Sequence, residues 1–196
     1  MTTRRIIPAQ RRGGETVAHK RFRSKSSKLA RVGFAAAKAR LLDVNRWDRY
    51  GAWTAFHLTN DTGKPVQASA EENFLIRVGM PGSGAQQYDW VRVEAIEQDS
   101  EDAYIGMRVQ PARAPGAHED VGFFTNASTN NFTLERKNNL IIAKVIGWND
   151  VTRTESASPF DKMRNLNAVQ LQWLGGSTAQ WESFLEGIVN GRESRQ

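Results

Sequence analysis

Residues 131–136 and 140–148 are two alternating apolar and polar runs separated only by Lys137-Asn138-Asn139. Asn accepts the positive φ of a tight turn with little strain, so these three residues are expected to close a β-hairpin. The same two-residue period holds upstream. In 88–97, Val91, Val93 and Ala95 fall on one side and Trp90, Arg92 and Glu94 on the other. In 103–110, Ala103, Ile105, Met107 and Val109 alternate with Tyr104, Arg108 and Gln110. Such alternation belongs to antiparallel strands that bury one face. Further candidates stand at 53–58, at 64–68 after the turn Asn60-Asp61-Thr62-Gly63, and at 74–78, where Phe74, Ile76 and Val78 alternate.

The flanks of this strand region have a helical period. Leu29, Val32, Phe34, Ala37, Leu41 and Val44 recur at helical spacing around an alanine run. Arg46-Trp47-Asp48-Arg49-Tyr50-Gly51 then reads as a short turn stopped by glycine. Near the C-terminus, Ser158-Pro159-Phe160-Asp161 has the form of an N-cap with proline at the first helical position. That helix would carry Met163, Leu166, Val169 and Trp173 to Gly175-Gly176. Ser177-Thr178-Ala179-Gln180 is a second capping box. After it, Trp181, Phe184, Leu185, Ile188 and Val189 form one wide apolar stripe ending before Gly191, so this last helix must lie against something.

The chain has 196 residues and no Cys, which excludes disulfides, thiolate metal sites and a cysteine nucleophile. No apolar run approaches the ~18–20 residues of a membrane-spanning helix, and no apolar signal follows the N-terminus. The expected location is the cytoplasm. The net charge of +6 is unevenly divided. Residues 1–31 hold ten basic side chains against Glu15 alone, whereas the other 165 hold 17 basic and 20 acidic groups. A basic tail on a mildly acidic body suits an arm for nucleic acid or another anionic surface, an organelle transit peptide, or a merely solvated leader. Residues 1–26 lack an apolar period and read as mostly disordered, although 17–23 could add an edge strand.

Catalytic signals are few. His19, His57 and His118 are too far apart in sequence for a zinc pairing, and His57 reads as a structural strand histidine. The 81–84 segment, Pro-Gly-Ser-Gly, lacks the Gly-Lys-Ser/Thr ending of a phosphate loop and precedes a strand, so it reads as a hairpin loop. Acids at Glu71-Glu72, Glu97, Asp99 and Glu101-Asp102 lie at expected turns. Trp90, Tyr104 and Trp148 beside Arg92 and Arg108 could stack on bases, but cross-strand packing under a covering segment suits them better, with Glu94 in the same row.

A helix leaving through Leu41-Leu42-Asp43-Val44-Asn45-Arg46-Trp47, a meander of antiparallel strands and a long amphipathic C-terminal helix resemble the START/polyketide-cyclase-like superfamily (SRPBCC, helix-grip fold). In that fold the sheet curls round the last helix. The likeness spans residues 17–190, with 17–23 as its first strand. It implies an apolar ligand held between sheet and helix. It carries over no catalytic residue, since no catalytic motif of the family is matched. The 81–84 segment with Tyr88-Asp89-Trp90-Val91-Arg92-Val93 is also similar to small uncharacterised bacterial proteins, which implies no activity.

The expected fold is therefore α+β: a mostly antiparallel curved sheet of six to seven strands, with helices near 28–44, 159–174 and 178–190 packed on one face. Residues 1–26 are the tail and 27–196 a single domain. The expected function leans away from an enzyme and towards a binding protein for an apolar small molecule. Its cavity would be lined by Ile76, Val93, Ile105 and Met107 from the sheet and Trp181, Phe184 and Leu185 from the last helix, unless all seven are ordinary core. The alternative is an assembly or nucleic-acid-associated protein whose Arg4, Arg5, Arg11, Arg12, Lys20, Arg21, Arg23 and Lys25 meet phosphates. Neither reading calls for a metal or cofactor.

Overall fold

The structure, a computed structural model, describes residue 6 and residues 14–79, 88–99, 101, 103–116, 129–150 and 177–191. Strands β1 (Gly14–Arg23), β2 (Phe56–Thr59), β3 (Leu75–Gly79), β4 (Tyr88–Gln98), β5 (Tyr104–Pro111), β6 (Thr129–Lys137) and β7 (Leu140–Asp150) form one antiparallel sheet in the order β1-β7-β6-β5-β4-β3-β2. Helix α1 (Ser27–Leu42) and a 3-10 helix (Val44–Tyr50) connect β1 to β2, and α2 (Thr178–Asn190) follows β7. The chain is α+β, as its periodicities require. The helix expected at 159–174 and the 81–84 loop lie outside the described residues.

Local chemistry accounts for the element ends. Ser26 Oγ accepts the Leu29 N–H at 3.2 Å to cap α1. The 3-10 helix stops at Gly51, whose φ of 90° suits glycine. Both halves of the Ser177–Gln180 capping box are formed, at 3.2 and 2.7 Å. The β6–β7 turn places Asn138 at a φ of 55°.

One indole shows how strongly the sheet bends. The ring of Trp47 lies 5.2 Å from Phe56 on β2 and 5.0 Å from Phe132 on β6. Those strands are four places apart in the order, about 19 Å in a flat sheet at ~4.8 Å per strand. The sheet therefore curls, and α1, the 3-10 helix and α2 fill its inner face. The packing is close where α2 crosses the 3-10 helix: a Cβ at Gly187 would collide with the Tyr50 carbonyl group and stand 2.9 Å from its Cα. Gly187→Ala is expected to destabilise the fold by ~1–3 kcal/mol through this overpacking, read as a lowered urea midpoint.

Three expectations need correction. Residues 14–23, assigned to the tail although 17–23 offered an edge strand, are the full strand β1, paired with β7 from Gly14↔Asp150 to Arg23↔Leu140. Its sequence hides the strand because the outward side chains, such as His19, Arg21 and Arg23, are charged or polar at an open sheet edge, where cations also deter pairing with other chains. On α1 the buried residues are Ala30, Phe34, Ala37 and Leu41, whereas Leu29 and Val32 face solvent. Small residues let the helix close on the sheet, with a Cβ at Gly33 only 3.5 Å from Ile141 Cδ1. In β4 the register shifts between Val93 and Ala95. Beyond this bulge Ile96 pairs with Met107 and Ala95 with Arg108, so Ala95 leaves the face of Val91 and Val93.

Candidate functional site

All seven expected cavity residues lie on the inner face of the sheet or the facing side of α2, and all are buried in one cluster. The two aromatic members are part of a ring stack. Trp181 stands edge-on to Trp53 at 4.5 Å, Phe132 at 5.5 Å and Phe184 at 5.7 Å, and Phe184 is 5.1 Å from Trp47. These rings lie between the sheet and the helix. The structure thus brings the seven together around α2.

Two polar groups interrupt this apolar interior. Asn130 sits on β6 opposite Val109 of β5 and Gly147 of β7, two positions before Phe132 on the same inward face. It is 2% exposed, and its Nδ2 has no hydrogen-bond partner. The second group is Trp53 Nε1, also buried without a partner, on the ring that touches Trp181. The contrast with Trp47 is clear, since its Nε1 donates to the Leu41 carbonyl at 3.0 Å. Asn45 is likewise satisfied, accepting from the Leu58 N–H and donating to the Val66 carbonyl, both at 2.8 Å. Trp53 thus places one donor against Trp181, and Asn130 another on the strand face that carries Phe132. Sequence reasoning missed Asn130 because Asn130-Asn131 reads as the polar edge of a strand. Only register decides which of the two points inward.

The other polar candidates have structural work. Asp99 accepts the N–H groups of Ala103 and Tyr104 at 2.7 and 3.1 Å, and Glu72 accepts that of Ile96 at 2.9 Å. His57 is half-buried in β2, opposite Arg77. Among the described residues no cluster of His, Asp and Glu could hold a metal ion. Tyr104 and Arg108 are covered: Ile6, 1% exposed, rests on Gly106, where a Cβ would come within 2.9 Å of its Cγ2. Glu97 accepts the Ile6 N–H at 3.0 Å, and Arg108 donates to the Ile6 carbonyl at 2.9 Å while pairing with Glu94 at 2.7 Å. This is cross-strand packing under a covering residue, and it occupies that part of the outer face. The side chain of Trp148 lies outside the described residues.

Of the expected phosphate-binding residues, Arg4, Arg5, Arg11 and Arg12 also lie outside them. Lys20 pairs with Glu182 at 3.2 Å, and Arg23 donates to Asn139 Oδ1 at 3.3 Å. Arg21 and Lys25 are exposed. This arrangement does not support a nucleic-acid arm.

No family model and no curated protein matches the chain. Solved structures do. A hypothetical protein from Helicobacter pylori superposes with a TM-score of 0.58 at 10% identity, covering 98% of this chain and 99% of the other. At that identity the likeness shows the fold alone, an antiparallel sheet curled round a C-terminal helix. Its marks are the strand order, the helical link from β1 to β2, and α2 within the curl of the sheet. A START superfamily protein from Mycobacterium smegmatis also matches, at 12% identity and a TM-score of 0.43, over 91% of this chain and 99% of that one. Norcoclaurine synthase from Thalictrum flavum matches at 9% identity and 0.45, over 93% and 90%.

Proposed function

We propose that this helix-grip chain is a non-enzymatic binding protein for an apolar small molecule that carries an acceptor oxygen, such as a carbonyl or carboxylate. The apolar wall would come from Ile76, Val93, Ile105, Met107, Trp181, Phe184 and Leu185, and the polar anchor from Asn130. The observation that supports this reading is the unpartnered Asn130 amide inside the curl of the sheet. A buried donor without an acceptor costs ~1–3 kcal/mol, and that cost is recovered when an acceptor arrives. Trp53 Nε1 offers a second donor on the same ring stack. Ligand sites generally combine apolar walls with a few placed polar groups, as this interior does.

Asn130→Leu separates binding from folding, because leucine has nearly the same size and leaves no unpaired amide. Its unfolding midpoint is expected to equal or exceed that of the parent. Binding of cis-parinaric acid, followed by its fluorescence, is expected to weaken at least ~10-fold, the equivalent of ~1.4 kcal/mol. Equal binding by both proteins, or no binding by the parent, overturns the proposal. A lowered midpoint in the variant would mean that the amide serves the fold.

A further inference from the structure

The solvent side of α1 is apolar where a surface helix is ordinarily polar. Leu29 and Val32, one turn apart on the same side, are 53% and 63% exposed, the two highest values among the exposed large hydrophobic residues described. Ala35, Ala36 and Ala39 continue the exposed strip. The surrounding charge has one sign. From Thr16 to Leu42 the chain has eight Lys and Arg and not one acid. Of these, Lys20 pairs with Glu182, Arg40 donates to the Ile188 carbonyl at 3.1 Å, and Arg23 donates to Asn139 Oδ1 at 3.3 Å while staying exposed. Arg23, Lys25, Lys28 and Arg31 are exposed around the first turns of α1.

The position of these cations runs against helix stability. The N-terminal end of a helix carries a partial positive charge, which favours acids there and disfavours Lys and Arg. The first turn of α1 has no acid and includes Lys28. The Ser24 N–H donates to the Asn139 carbonyl at 2.8 Å, which ties this corner to the β6–β7 turn and its exposed Lys137, itself paired with Glu135 at 3.3 Å. Helix end and side chains therefore add to one positive field around two exposed apolar side chains.

We propose that this corner docks on an anionic lipid surface, with Leu29 and Val32 dipping between head groups and Arg23, Lys25, Lys28 and Arg31 meeting their phosphates and carboxylates. Shallow insertion of aliphatic side chains within a basic rim is the mode of a helix that lies on a bilayer without crossing it. Each cation near an anionic surface adds about a fivefold gain in partitioning. Charge complementarity alone would also suit a nucleic acid, but Leu and Val offer no aromatic face for bases to stack on. A specific protein interface would normally be anchored by aromatic residues, and this strip has none. None of the described helices is long and apolar enough to cross a membrane, in keeping with a surface contact.

Co-sedimentation of the full chain with vesicles tests the proposal. Binding is expected to mixed phosphatidylcholine–phosphatidylserine vesicles at low salt, to fall as salt rises, and to be absent with phosphatidylcholine alone. Both Leu29→Ser/Val32→Ser and Lys28→Gln/Arg31→Gln are expected to weaken it at least ~10-fold without lowering the unfolding midpoint, since all four side chains are exposed and Lys28 opposes the helix dipole. Undiminished binding by the Leu29/Val32 variant would assign the contact to cations elsewhere in the chain and overturn the proposal. So would failure of the full chain to bind the anionic vesicles, or binding to duplex or single-stranded nucleic acid in their place.

Discussion

A chain beginning at Ser27 is expected not to fold. The missing segment includes β1, which pairs with β7 at nine positions and supplies Ala18 and Phe22 to the interior. Its loss would also free the face of α2 that rests on β1, together with the Lys20–Glu182 pair. Each ladder hydrogen bond contributes ~0.5–1.5 kcal/mol net. With the newly exposed apolar surface, the sum is comparable to the ~5–15 kcal/mol that holds a whole domain together. A chain beginning at Gly14 keeps β1 and is expected to unfold cooperatively, with a modest loss from the uncovered Gly106 site of Ile6. Circular dichroism and thermal unfolding of both shortened chains check this. A cooperative transition at the full-length midpoint in the 27–196 chain would show that β1 contributes nothing. The charge pattern alone, which marks 1–26 as a dispensable leader, forecasts the opposite result.

Trp181→Ala is expected to cost ~3–5 kcal/mol, the range for removing a fully buried aromatic side chain. Trp181 is 1% exposed and meets Trp53, Phe132 and Phe184 edge-on, so its removal leaves a void between helix and sheet and breaks three ring contacts. Trp181→Phe is expected to lose much less, because a ring still bridges α2 and β6. Urea midpoints of the two variants measure the difference, and near-ultraviolet circular dichroism reports whether the remaining rings stay ordered. An unchanged midpoint in the alanine variant would mean that α2 is not held in the grip through this residue. Leu185→Ala, at the adjacent buried position, is expected to fall in the ~2–5 kcal/mol range.

Sequence periodicity was a good guide wherever local chemistry and burial agreed. The β6–β7 hairpin was legible because an Asn turn separates two alternating runs. Helix α2 was legible because a capping box, a five-residue apolar stripe and a closing glycine all point to one boundary pair. The order of such elements pointed to an antiparallel meander with a last helix in its curl, and the strand order bears that architecture out. The candidate site was legible only in its apolar part, since inward positions on regular strands follow from alternation.

The amino-acid order by itself determined the strands with one apolar face, the strongly amphipathic last helix and the uneven charge, because each is a local pattern with its own period. Tertiary structure decided the rest. Whether a polar ten-residue stretch becomes β1 depends on the edge that β7 leaves open. Whether Leu29 or Ala30 turns inward depends on how near α1 must approach Ile141. A bulge far from any turn signal sends Ala95 outward, and pairing across three strands puts Asn130 on the inner face and Asn131, itself fully buried, on the outer one. In each case the deciding energy lies in contacts between residues distant in sequence, and a one-residue shift of register moves every side chain of a strand to the opposite face.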